Sequence, residues 1–186
     1  MPMDALHMLK REESVALVID VQEKLMPVIA SSAEVTRNTA NLVHGLRILN
    51  VPLFVTEQYP KGLGPTVAPV KEAAQGAPVI QKREFGSFAN ADFRAAMDPY
   101  ANKTLIVCGV EAHVCVLQTS LQARSRGHRV FVVADAVGSR NPENKQMALD
   151  RLREADCTLV TTEMALFELL GTSEAPEFKA IQSLIR

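Results

Sequence analysis

The stretch TLIVCGVEAHVCVLQTSLQARSR, residues 104–126, joins two elements whose order predicts the fold of the chain. An apolar, β-branched run without alternation occupies residues 104–108, which favours a strand covered on both faces. Residues 115–126 favour a helix. A buried strand that leads straight into a helix is typical of an α/β protein with a parallel sheet.

Apolar runs of the same kind recur along the chain, and helical segments separate them. These runs lie at residues 15–19, 53–56, 78–80, 129–134 and 157–160. Their alternation with helices predicts a three-layer, doubly wound α/β fold, with a mostly parallel sheet of about six strands and helices on both faces. Because 186 residues can bury a sizeable core, we expect residues 1–186 to form a single domain.

Local signals mark two helix starts and one loop. Ser31 and Glu34 have the spacing of a capping box, ahead of apolar residues at helical spacing over 35–49. Asn141, which a proline and a glutamate follow, predicts a second helix start. Residues 58–66 are rich in glycine and proline, and we expect this longest irregular stretch to be a loop over a site.

Composition argues against several classes of protein. The net charge of −1 gives no electrostatic attraction to nucleic acid or to an anionic membrane. No apolar stretch approaches the roughly 20 residues that span a bilayer, and residues 1–14 lack the pattern of a signal peptide. Three cysteines are too few for a disulfide framework, so we expect a reducing, cytoplasmic setting.

Three reactive side chains stand at or just beyond the predicted carboxyl ends of strands, where open α/β sheets bind their ligands. They are Asp20, Lys82 and Cys115. Each alone is weak evidence, because a strand-end aspartate is often a helix cap, a lone lysine is usually solvated and a cysteine is more often part of the core. Their joint placement predicts a catalytic site.

Cys115 is the candidate nucleophile. A thiol in the first turn of a helix lies at the positive end of the helix dipole, so we expect its pKa to be lowered, and lowered further by Lys82. Asp20 could then accept the thiol proton as a general base. We expect Cys108 and Cys157 to be core residues, because both lie in apolar strands.

Motifs over most of the chain carry a resemblance to a known superfamily. They are VIDVQ (18–22), QKREFGSF (81–88), GVEAHVCVLQT (109–119), VADAVGSR (133–140) and TTEMALFELL (161–170). With them the chain resembles the isochorismatase-like cysteine hydrolases, which include nicotinamidases, carbamoylases and many orphan hydrolases. The resemblance is strongest to orphan isochorismatase-domain proteins, and it implies that the aspartate, lysine and cysteine named above are catalytic.

The resemblance also assigns roles within the loop around the cysteine. Members hold a cis, non-proline peptide bond here, which would be Val110–Glu111. It implies that the backbone N–H groups of Glu111 and Cys115 form an oxyanion hole. His113 is expected to be a loop or interface residue, since the family uses aspartate as its base. We expect the substrate pocket to be lined by Gln22, Gln58, Tyr59 and Phe85.

Metal dependence is not expected. Nicotinamidases bind a metal through an aspartate and histidines just after the second strand. Here that segment reads TEQYPKGLGPT, residues 56–66, and contains neither residue type. We therefore predict a small-molecule hydrolase without a metal or another cofactor.

Three functions stay open at the level of the sequence. The leading one is hydrolysis of an amide or related C–N bond by Cys115. The second is isochorismate-type vinyl ether hydrolysis, in which Asp20 donates a proton and Arg83 and Arg140 could bind two carboxylates. The third is a catalytically silent interaction protein. We also expect a homo-oligomer, in which the apolar stretch 164–170 either packs on a partner subunit or covers its own sheet.

Overall fold

Six strands form one parallel sheet in the computed structural model, which describes residues 7–185. The strands are β1 (Ser14–Ile19), β2 (Leu53–Gln58), β3 (Val79–Lys82), β4 (Thr104–Val110), β5 (Val130–Gly138) and β6 (Thr158–Val160). Their order across the sheet is β3-β2-β1-β4-β5-β6, and every pairing is parallel. The predicted sheet of about six strands is confirmed. Residues 1–6, part of the segment expected to carry no signal peptide, lie outside the described residues.

Helices cover both faces of this sheet, as predicted. They are α1 (Ser32–Ile48), α2 (Pro60–Leu63), α3 (Ala68–Ala73), α4 (Ala91–Met97), α5 (Leu117–Ser125), α6 (Pro142–Glu154), α7 (Thr162–Leu170) and α8 (Phe178–Ile185). Short 3₁₀ turns lie at Arg11–Glu13, Met26–Val28, Ser87–Ala89 and Asp98–Tyr100. Apolar residues of α1, α3, α7 and α8 pack into the core on one face. Residues of α4, α5 and α6 pack into the core on the other face.

The central strand β1 explains why its sequence does not alternate between apolar and polar residues. Ala16 and Val18 point into one core, whereas Val15, Leu17 and Ile19 point into the other. A strand buried on both faces has no solvent side, so each position takes an apolar residue. In contrast, β3 lies at the edge of the sheet, and its first residue is 53% exposed.

The capping box predicted at the start of α1 is wrong. Ser31 has φ = 56° and ψ = 32°, and its side chain makes no capping hydrogen bond. A capping serine needs extended backbone angles to aim its hydroxyl at the helix, and this left-handed conformation does not supply them. The prediction at Asn141 is confirmed, because its side chain accepts a hydrogen bond of 2.8 Å from the backbone of Glu143.

The segment predicted as the longest irregular stretch, residues 58–66, is more ordered than expected. Strand β2 continues through Gln58, and the four residues of α2 follow almost at once. The proline that suggested a loop stands at the first position of this helix, where its missing N–H has no intrahelical partner to lose.

Gly109 is required by the close approach of β4 to β1. It lies opposite Ile19 in the strand register and has φ = 114°. A Cβ atom at this position would lie 2.1 Å from the carbonyl oxygen of Ile19. Only glycine therefore fits at this position, because any side chain would collide with the backbone of β1.

Replacing this glycine should therefore destabilise the fold strongly. We expect Gly109→Ala to lower the free energy of unfolding by more than about 3 kcal/mol, since backbone and not a flexible side chain opposes the new methyl group. Urea denaturation measures the change. Gly127→Ala is the matched control, because Gly127 has φ = 87° but nothing within 4 Å of the added atom. Left-handed strain alone should cost about 1 kcal/mol there. Equal losses in both variants would contradict the steric explanation.

Candidate active site

The first element of the site is a buried ion pair between the ends of β1 and β3. Lys82 Nζ lies 2.6 Å from Asp20 Oδ2, and both side chains are fully buried. The second carboxylate oxygen, Oδ1, accepts a hydrogen bond of 2.8 Å from the hydroxyl of Thr56 in β2. Three adjacent strands thus hold one carboxylate by both of its oxygens.

The ammonium group of Lys82 has further fixed acceptors. It donates to Gln58 Oε1 at 2.8 Å and to the carbonyl oxygen of Glu84 at 3.2 Å. The carbonyl oxygen of Phe85 lies at 3.4 Å. Because an ammonium has three protons, the carboxylate and these acceptors satisfy it fully and fix its direction.

The second element is the segment that follows β4. The Val110–Glu111 peptide bond is cis. Residues Ala112–Val116 then form a π-helical turn ahead of α5, and the carbonyl oxygen of Glu111 accepts from the backbone N–H of Val114 and Val116. Cys115 therefore lies in the first turn of the helix that follows β4, as predicted, and this turn is π-helical and runs directly into α5.

The Cys115 thiol is protonated at neutral pH. Its side chain is buried, and burial together with the nearby Asp20 carboxylate raises the thiol pKa to about 12. The Lys82 ammonium acts in the opposite direction but does not outweigh them. The expectation of a lowered pKa is therefore wrong, because it counted the helix terminus and the lysine but not the loss of solvent.

All three thiols share this raised pKa, and their surroundings distinguish them. Burial also raises the pKa of Cys108 and of Cys157 to about 12, as expected for core residues. Cys115 is the one of these three whose pKa is influenced by both the carboxylate of Asp20 and the ammonium of Lys82. The structure thus brings Asp20, Lys82 and Cys115 together at one point.

Gln22 does not offer a free group to a substrate, in contrast to our expectation. It is fully buried. Its amide nitrogen donates to the carbonyl oxygens of Gln58 at 3.0 Å and Gly64 at 2.7 Å. Its amide oxygen accepts from the backbone N–H of Gln58 at 2.7 Å. Gln22 therefore ties the segment after β1 to the end of β2 and the loop beyond it.

The other residues expected in the substrate pocket lie around Lys82. Gln58 binds the ammonium directly and donates to the carbonyl oxygen of Arg83 at 2.7 Å. Tyr59 is exposed and carries the guanidinium of Arg83 on its ring, 3.8 Å from the centroid. The exposed side chain of Phe85 follows in the same segment. A cavity of about 190 Å³ opens beside them, lined by Tyr59, Pro60, Lys61, Gln81, Lys82, Arg83, Glu84 and Asn90.

Several supporting residues were not predicted from the sequence. Thr56 holds Asp20, as described above, and its position at the end of a predicted strand was a usable signal. Thr119 on α5 accepts from the backbone of Ser87 at 2.9 Å and donates to its hydroxyl at 3.1 Å. This contact anchors the segment after Lys82 on the helix that follows Cys115. No periodic pattern marks such a pair.

His113 binds Ser139 in the structure, which does not favour it as a base for the thiol. Its Nδ1 lies 3.0 Å from the hydroxyl of Ser139, in the segment after β5.

Within residues 7–185, no group of three or more His, Cys, Asp or Glu side chains could hold a metal ion. In the same range, none of the helices has the length and apolar character needed to cross a membrane.

Comparison with known proteins gives one family. The model of the isochorismatase domain matches residues 14–164. Isochorismatase domain-containing protein 2 of Danio rerio is 39% identical over 180 residues, which cover 95% of this chain and 89% of that protein. The secreted isochorismatase effector Isc1 of Phytophthora sojae is 36% identical over 177 residues, which cover 93% of this chain and 84% of that protein.

Solved structures with the same fold come from several organisms. The MAR1 ribonuclease of Caenorhabditis elegans has a TM-score of 0.90 and 37% identity, over 96% of this chain and 92% of that one. YcaC of Pseudomonas aeruginosa, solved with hexane-2,5-diol and covalent acrylamide, has a TM-score of 0.90 and 30% identity over the same shares. YcaC of Escherichia coli, described as an octameric hydrolase of unknown specificity, has a TM-score of 0.90 and 27% identity, over 96% and 89%.

The protonated thiol has a measurable consequence. Labelling of Cys115 by iodoacetamide should rise about tenfold per pH unit from pH 7 to pH 9 without a plateau, because only the thiolate reacts and the pKa is about 12. Mass spectrometry of the Cys115 peptide measures the rate. Asp20→Asn should accelerate labelling at pH 8, since the carboxylate raises the thiol pKa.

Asp92→Asn on the exposed surface of α4 is the matched control and should leave that rate unchanged. A plateau in the wild-type rate below pH 8 would show a lowered pKa and contradict the assignment.

Proposed function

The chain belongs to the isochorismatase domain family, and from that premise we propose that it is a small-molecule hydrolase in which Cys115 attacks an amide or related C–N bond. The observation that carries the proposal is the proximity of one buried thiol to the buried ion pair of Asp20 and Lys82, both of which act on the thiol pKa. The aspartate and the cysteine follow β1 and β4, the neighbouring strands at which the strand order reverses. Open α/β sheets bind their ligands at such points.

The chemistry begins with a protonated thiol. As the sulfur of Cys115 attacks the carbonyl carbon, Asp20 accepts the thiol proton, and the carbonyl π electrons move to the oxygen. A pKa of about 12 makes this transfer part of the attack, because a free thiolate is scarce beforehand. The ammonium of Lys82, which is paired with Asp20 and acts on the thiol pKa, limits the build-up of negative charge. The N–H groups of Glu111 and Cys115 stabilise the oxyanion.

The second half of the reaction returns the enzyme to its starting state. The oxyanion collapses, the C–N bond breaks, and the leaving nitrogen takes the proton from Asp20. Water then attacks the thioester and gives one proton to the same carboxylate. The carboxylic acid product leaves as the proton returns to the sulfur of Cys115. One base thus serves both steps, and neither step needs an oxidant, a reductant or a metal.

Two observations favour this chemistry over isochorismate-type vinyl ether hydrolysis. Arg140, one of the two proposed carboxylate binders, is already paired with Glu111, with Nε 3.2 Å from Oε2. The other, Arg83, lies over the ring of Tyr59. Both guanidinium groups therefore already make a contact within the chain. The covalent acrylamide in YcaC of Pseudomonas aeruginosa fits a nucleophilic side chain in that relative.

One relative, from Caenorhabditis elegans, is described as a ribonuclease. Cleavage of RNA is therefore an alternative activity to test. A polyanionic substrate is usually bound by a cluster of basic side chains. The net charge of −1 gives no such preference. An RNA oligonucleotide therefore serves as a comparison substrate beside the small amides.

The cytoplasmic setting also stays a prediction, since one relative is secreted.

Substitution of the reacting groups tests the proposal. Against a library of small amides, Cys115→Ala should abolish turnover, because no thioester can form. Asp20→Asn should lower kcat by roughly 100-fold or more, since an amide does not accept the thiol proton. Cys157→Ala is the matched control, a buried thiol distant from the ion pair, and it should keep its activity. Amide hydrolysis by Cys115→Ala would overturn the mechanism. Vinyl ether hydrolysis by that variant would identify the runner-up reaction.

We also propose that the protein is a homo-oligomer, as YcaC of Escherichia coli is described to be. Helix α7 does not supply the interface with its apolar side, because Ala165, Leu166, Leu169 and Leu170 are buried in the chain's own core. Large apolar side chains are exposed elsewhere. Val28 and Phe85, in the segments that follow β1 and β3, are each more than half exposed. A second copy that covers them would remove this apolar area from water.

Light scattering at micromolar concentration should therefore give a mass that is a whole multiple, greater than one, of the 20.3 kDa chain. The expected reason is burial of exposed apolar side chains in a symmetric contact. A monomeric mass over the whole range of concentration would reject the oligomer.

A further inference from the structure

We propose that Ser139 and Arg140, the two residues after β5, are positioning residues that hold the nucleophile loop in its reactive geometry. The nucleophile loop is defined here as residues 109–116. This inference rests on the proposed function, because it concerns the same thiol and the same oxyanion donors. The two residues touch neither the thiol nor the ion pair, so they would act through Glu111 and His113.

The first contact is a charged clamp on Glu111. The backbone N–H of Arg140 and its Nε both donate to Glu111 Oε2, at 2.9 Å and 3.2 Å. The Glu111 side chain is 8% exposed, and the Arg140 side chain is 62% exposed. A carboxylate held by two N–H groups, one of them backbone, cannot rotate freely. The peptide N–H of the same residue, the proposed oxyanion donor, is thereby fixed.

The second contact holds the next turn of the loop. The Nδ1 of His113 lies 3.0 Å from the hydroxyl of Ser139, which is buried. Ser139 is itself anchored, because its carbonyl oxygen accepts a hydrogen bond of 3.0 Å from the backbone N–H of Ala30, just before α1. The nucleophile loop is thus tied to a segment that a third part of the chain keeps in place.

These contacts lie just beyond the point where the backbone pairing of β4 and β5 ends. Val110 and Gly138 are the final paired residues of β4 and β5. Past that rung the backbones separate, and the side-chain pairs Glu111–Arg140 and His113–Ser139 replace the ladder. A reacting sulfur displaced by about 1 Å can cost about 100-fold in rate. Positioning of this loop is therefore expected to appear in kcat and not in KM.

The experiment combines turnover with a readout that needs no substrate. Arg140→Ala should lower kcat about tenfold with KM within twofold of wild type. It should also label Cys115 with iodoacetamide at least threefold faster, because a looser loop exposes a thiol that is now 6% exposed. Labelling of Cys108 and Cys157 and the melting temperature should stay unchanged. Turnover and labelling thus move in opposite directions.

Arg153→Ala is the matched control. Arg153 is also 62% exposed, and it pairs with Asp150 at 2.8 Å on the surface of α6. This variant should behave as wild type in every measurement. Arg140→Lys should recover part of kcat and of thiol protection, since an ammonium can still reach Glu111. His113→Asn should keep a higher kcat and slower labelling of Cys115 than His113→Ala. The amide of asparagine can replace Nδ1 as the hydrogen-bond partner of Ser139 but cannot act as a base.

The outcomes separate the two proposals. Wild-type labelling of Cys115 in Arg140→Ala would overturn the positioning role, whatever the substrate is. Faster labelling of all three cysteines, with a lower melting temperature, would also overturn it, since that result reports general destabilisation. If the wild-type protein hydrolyses no amide, the proposed function fails, and selective labelling of Cys115 still decides the positioning inference.

Discussion

A lysine and an aspartate buried together place the strongest constraint on this molecule. Removing both charges from water is costly, and the attraction between them offsets that cost only when their remaining hydrogen-bonding groups are satisfied. Here the hydroxyl of Thr56 in β2 binds the carboxylate. The side chain of Gln58, also in β2, and the carbonyl oxygen of Glu84, after β3, bind the ammonium. The parallel sheet brings these ends to one edge. The fold and the ion pair therefore depend on each other.

The same ion pair sets the state of the thiol. Asp20 cannot both accept the proton of Cys115 in advance and remain bound to Lys82 as a carboxylate. In the proposed mechanism the sulfur is protonated and Asp20 stays a carboxylate until a substrate accepts the sulfur's electron pair. A buried, protonated thiol reacts more slowly with alkylating agents and oxidants than a permanently ionised thiol does.

The sequence predicted those parts of the site that depend on strand ends. Asp20 and Lys82 could be placed together because apolar runs predict strands and parallel strands end at one edge. Ser31 failed as a cap because its backbone angles are not encoded in the spacing of capping residues. The pKa of Cys115 was misjudged because burial depends on packing that a single strand–helix join does not reveal. Arg140 and Ser139 were missed as partners because loop side chains follow no period.

The position of β3 has a consequence for how the proposed activity would be lost. This strand is one of the two edge strands of the sheet, with one neighbour and an exposed first residue, yet it carries Lys82 at its end. Edge elements with few buried contacts open locally at a lower free energy than the core strands. Detachment of β3 would take the ammonium away from its carboxylate while the other five strands remain paired. Inactivation on heating is therefore expected to precede global unfolding, with amide hydrogen exchange in β3 as its earliest sign.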